Sequence, residues 1–174
     1  MKYFVLIVVL LNTAILPQAK DVKGWNRSYW GMTSADLDST FKNEIIIKER
    51  ESYAKSYSNR EFKNLEISSQ KYKVIFLMDN KTDKLTQVNV KPLEQDGPFK
   101  TNFENLSQIL TDKYGQPTYN NDNPGIVAGM VEYRKTWSFK STVVELIYSE
   151  IKSIGVRILT LVYKQRVATD SEKI

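Results

Sequence analysis

Hydrophobic and polar positions alternate most clearly between Tyr72 and Val90. Tyr72, Val74, Phe76 and Met78 share one face of an extended segment, and Ile75 and Leu77 make its other face partly apolar, as in a central strand. Asp79-Asn80-Lys81-Thr82-Asp83 is rich in turn formers, and residues 85–90 resume the alternation, so the pair reads as a β-hairpin. Upstream, Thr33 with Asp36 forms a capping box, and Leu37 and Phe41 share a face, which predicts a short helix over 34–43. A charged stretch follows, and then two exposed strands over 52–58 and 61–69. The strongest helical spacing is Phe103, Leu106, Ile109, Leu110 and Tyr114, which predicts a helix over 102–114 with Thr101 and Glu104 as its capping box. Gly115 and Pro117 stop it. Asn120-Asn121-Asp122-Asn123-Pro124-Gly125 reads as a flexible loop. Three strands close the chain: Val131, Tyr133, Trp137 and Phe139 face one way in the first, and the others fall at 143–148 and 157–163.

This order predicts an α+β fold, with two short helices packed on an antiparallel sheet of about six strands. Both halves run from a capped helix into a meander, which suggests a duplicated helix-meander unit.

The first nineteen residues stand apart from this pattern. Lys2, the apolar run from Phe4 to Leu11 and Ala19 before a polar stretch make a cleavable signal peptide. The run is interrupted by Asn12 and Pro17, so a permanent membrane span is disfavoured. The expected organisation is a leader over 1–19, one domain over 20–164 and a polar tail over 165–174. Export to the periplasm or medium follows. Removing the leader takes the formal charge from +5 to +4. That mild, scattered excess, together with export, argues against nucleic acid as a partner.

Composition then narrows the chemistry. The chain has no cysteine and no histidine. Thiol nucleophiles, disulfides, sulfur metal sites and the commonest general base and zinc ligand are therefore excluded. Ser-x-x-Lys occurs at Ser39/Lys42, Ser52/Lys55, Ser68/Lys71 and Ser149/Lys152. A lysine can activate a serine, but the other elements of penicillin-interacting enzymes are missing, so these read as solvated side chains. Glu145 lies opposite the apolar positions of its strand and reads as an exposed or Arg/Lys-paired glutamate. Asp79–Asp83 offers oxygens in the wrong pattern for a calcium loop, with Lys81 and Lys84 where ligand and glycine belong. No cofactor is implied.

Trp30-Gly31-Met32-Thr33 and Tyr114-Gly115-Gln116-Pro117 resemble motifs of a loose class of small exported bacterial proteins. The Gly-Met-Thr helix start also resembles the small lipoprotein of the outer-membrane β-barrel assembly machinery and the β-lactamase inhibitor proteins. Those families pack helices on an antiparallel sheet and bind other proteins. This chain departs from the first in lacking a lipid-bearing cysteine and from the second in lacking disulfides.

The leading expectation is therefore a non-enzymatic exported module that binds a protein or envelope component. Its sheet face, or the region of Trp25, Trp30 and Met32, would carry the binding. Trp25, in the lead-in, is expected to be the freest of the three tryptophans, while Trp30 and Trp137 are expected in the core. The alternatives are a small carboxylate-dependent hydrolase of envelope polymers and an inhibitor of a secreted enzyme with 119–129 as its protruding loop.

Overall fold

The computed structural model describes residues 21–94, 96–122 and 124–167, so the predicted leader and the end of the predicted tail lie outside the described residues. Two helices and eight strands follow in the order α1 (Ser34–Phe41), β1 (Ile45–Ser52), β2 (Ser56–Ile67), β3 (Gln70–Asp79), β4 (Leu85–Pro92), α2 (Phe99–Tyr114), β5 (Tyr119–Asn121), β6 (Met130–Ser138), β7 (Thr142–Ile151) and β8 (Val156–Gln165), with a 3-10 turn at Lys42–Glu44. The fold is α+β. All eight strands form one antiparallel sheet in the order β1-β2-β3-β4-β8-β7-β6-β5.

The sheet has two strands more than the six expected. One extra is β1, whose Lys48-Glu49-Arg50-Glu51 run hides an edge strand: all its residues but Ile45 are exposed, so no alternation marks it. The expected strands at 52–58 and 61–69 resolve into the end of β1 and the single long β2. The other extra is β5, three residues in the polar segment expected to be a loop.

The two helices lie on the same side of the sheet. Leu37 and Phe41 of α1, and Phe99, Phe103, Leu106 and Leu110 of α2, join one core cluster with Val74, Phe76 and Met78 of β3 and Val144, Leu146 and Tyr148 of β7. Around α1 this core is aromatic. Phe41, Phe62 and Phe76 surround Trp25 at ring-centroid distances of 5.4–6.2 Å. Trp137 is buried on the other half, and its Nε1–H donates to the Gly115 carbonyl (2.8 Å).

The helix ends differ. The capping box at Thr33 and Asp36 forms as the sequence predicts, with Thr33 N–H donating to the Asp36 carboxylate (2.8 Å) and Asp36 N–H to Thr33 Oγ1 (3.2 Å). At α2 the expected box does not form. The helix begins at Phe99, so Thr101 is already inside it, and the residue before it is Pro98, with no side-chain cap. Burying Phe99 in the core holds this extra turn. Gly115 ends α2 at φ 83°, a value that favours glycine.

Candidate functional site

With both helices on one side, the opposite face of the sheet carries no packed helix or strand among the described residues. Its middle row crosses all eight strands: Ile46, Glu61, Ile75, Asn89, Val162, Glu145, Thr136 and Tyr119 are successive cross-strand neighbours. Apolar and polar side chains thus interleave along the row.

Several charged members of this face are tied down, while Lys91, the cross-strand neighbour of Lys73, is in no ion pair among the described residues. Glu61 lies between Lys48 (2.8 Å) and Lys73 (3.0 Å). Burial alone would raise its carboxyl pKa, but the bonds from the two lysines outweigh that and hold it below the usual value. Arg134 on β6 bridges Glu145 on β7 (2.7 Å) and Glu132 on its own strand (2.9 Å). Desolvation would lower the guanidinium pKa, and the two carboxylates more than reverse it. Ser149 adds a hydroxyl bond to Glu132 (3.3 Å), and Gln87 donates to Asn89 (2.8 Å). Such pairs order their side chains without contributing much stability, which leaves a fixed pattern of charge on the face.

The same face becomes apolar toward one end. Val127, Met130, Ile151 and Val156 are cross-strand neighbours there, with Ile158 in the next row. Val127 is 72% exposed and Ile158 47%. Large side chains left this open to water form the kind of patch that marks an interaction site.

The residues singled out in the sequence fall elsewhere. Trp25 is 8% exposed and Met32 3%, both within the core cluster. Trp25 is therefore not the free tryptophan expected, because its ring completes the aromatic packing on Phe41, Phe62 and Phe76. Trp30 is half-buried, and its Nε1–H donates to Thr142 Oγ1 (2.7 Å). These three residues belong to the lead-in that straps α1 to the sheet. Glu145 lies where its alternation placed it, with Arg134 as partner.

Several residues weighed for bond chemistry have other partners. Ser39 Oγ donates to the Ala35 carbonyl (2.9 Å) and Ser149 Oγ to Glu132, so neither is aimed at a lysine. Asp79 serves the hairpin turn, accepting from Lys81 N–H (3.0 Å), Thr82 N–H (2.9 Å) and Thr82 Oγ1 (3.0 Å). Among the described residues no three acidic side chains gather as a metal site, and no helix is long and apolar enough to cross a membrane.

Sequence reading missed the ion-paired row. Part of its signal was present in the charged residues set between apolar ones at Lys73 and Glu132, but pairing across strands depends on register. No family model, curated protein or solved structure matches this chain.

Proposed function

We propose that the chain is a non-enzymatic binding module of the exported compartment, and that the uncovered face of its sheet is the binding surface. The observation that carries this reading is the one-sided placement of both helices. It leaves an eight-strand row of interleaved apolar and ion-paired side chains, ending in an exposed apolar patch. A protein surface fits such a face better than a glycan does, because the patch is aliphatic. Both carboxylates best placed for a hydrolase, Glu132 and Glu145, hold the same guanidinium.

The same reading takes the two halves as copies of one helix-meander unit. Strand order is palindromic about the β4–β8 seam, and β5 and β6 start at 119 and 130, each 74 residues after the starts of β1 and β2 at 45 and 56.

The test is a set of exposed lysine substitutions in the mature chain, assayed for retention on an envelope fraction. Val127→Lys and Ile158→Lys on the face are expected to abolish retention, and Gln108→Lys on α2 to leave it intact. Loss with Gln108→Lys alone would overturn the assignment.

A further inference from the structure

The seam between the halves is closed at one end and open at the other. At the start of β4 the lead-in lies beside Leu85, whose N–H donates to the Met32 carbonyl (2.8 Å) and whose carbonyl accepts from Gly31 N–H (3.0 Å). From there Trp30 reaches Thr142 on β7. The chain thus covers that end of the seam with the turn of its own lead-in at Tyr29–Met32.

At the other end the β4–β8 ladder stops at Val90 and Leu161, while β8 continues through Val156–Thr160 with β7 as its one ladder partner. Pro92, which has no N–H to give, stands in β4 where the ladder would have gone on. A hollow of about 470 Å³ opens here, walled by Lys91, Pro92 and Phe99 on one side and by Val156, Ile158 and Leu159 on the other. Alternate residues of any strand turn their N–H and C=O groups to the same edge. The β8 edge therefore presents main-chain groups to this hollow, and such groups bind best to another strand.

We propose that this slot takes an extended segment of a partner protein, added antiparallel to the β8 edge as a further strand. Its apolar side chains, at alternate positions, would cover Val156 and Ile158, and an acidic residue would face Lys91. Main-chain bonds supply affinity in this mode and alternate side chains supply selectivity. The charge requirement comes from the walls. Lys91 and Arg157 are in no ion pair among the described residues. Glu94 and Asp96 on the loop before α2 also line the hollow, and they favour a basic residue at the end of the segment beside them. The inference goes beyond the sheet-face reading and stands without it, because it rests on a main-chain edge.

The probe is an N-acetylated, C-amidated peptide, Asp-Thr-Val-Thr-Val-Thr-Lys, titrated into the full chain and followed by amide chemical shifts and hydrogen exchange. Shifts and new protection are expected at Lys91 and residues 156–160. N-methylating the peptide at one set of alternate residues is expected to weaken binding about tenfold or more, and at the other set much less. Ile158→Lys is expected to weaken binding similarly, and Ile147→Lys, on the face but outside the slot, to leave it unchanged. Absence of binding at millimolar peptide would overturn the proposal. So would equal binding of all N-methylated peptides, shifts centred on the β1 or β5 edges, or association of two copies through 156–160. If Ile147→Lys alone weakens binding, the face and not the slot holds the peptide.

Discussion

Trp25 shows how far a residue's role depends on what the chain folds around it. In a polar lead-in it looks available, yet its indole lies against Phe41, Phe62 and Phe76. Trp25→Ala is expected to cost about 3–5 kcal/mol of stability, the usual range for a buried large aromatic. Urea denaturation checks this, and an unchanged midpoint would contradict it. The Asp38–Arg60 pair ties α1 to β2 through two bonds of 2.8 Å. The bond from Arg60 holds the Asp38 carboxyl below its usual pKa, and the Ser141 hydroxyl does the same for Asp21 in the lead-in. A carboxyl depressed in the folded state stabilises it above the unfolded pKa of about 3.9 and ceases to do so as pH falls through the folded value. Asp38→Asn is therefore expected to destabilise at pH 7, by about 1 kcal/mol after allowance for its partial exposure. The difference should shrink as pH falls below the unfolded value and through the lowered folded one, which a pH series of denaturation midpoints would read.

At the scale of elements, the two helix starts separate two kinds of evidence. The box at Thr33 is formed and the one written at Thr101 is not. Thr33→Ala is accordingly expected to cost about 1 kcal/mol, and Thr101→Ala less than about 0.5 kcal/mol. Equal losses at the two sites would contradict the placement of α2. The contrast also shows what was legible in the sequence. Strands β4, β6, β7 and β8 bury mainly one face and β3 buries both, so alternation or a continuous apolar run marked them. Strand β1 is an edge whose residues after Ile45 face water, and β5 has only three residues, so neither carried a periodic signal. The first turn of α2 escaped because Phe99 buries itself against distant strands, a tertiary effect that no local motif records. The face opposite the helices was legible only in part. Glu145 could be placed outward, but its salt bridge to Arg134 depends on the β6–β7 register.

At the scale of the molecule, the palindromic sheet divides at Leu93 and Glu94, an exposed point between β4 and α2. Residues 20–93 and 94–174 expressed as separate chains are expected to reassociate across the β4–β8 seam, recovering the near-ultraviolet signal of Trp25 and Trp137 burial. Failure of both chains to combine would count against the halves as units. The absence of cysteine leaves this assembly to its core and ladders alone, and the core uses one side of the sheet. What the other side does is the central question. A photo-crosslinking residue placed at Ile147, Thr160 or Ile158 on the uncovered face, and at Gln108 on α2 as the opposite-face control, tests it most directly in intact envelopes. The account expects one discrete adduct shared by the three face positions and none from Gln108; adducts from Gln108, with the face positions silent, would contradict it.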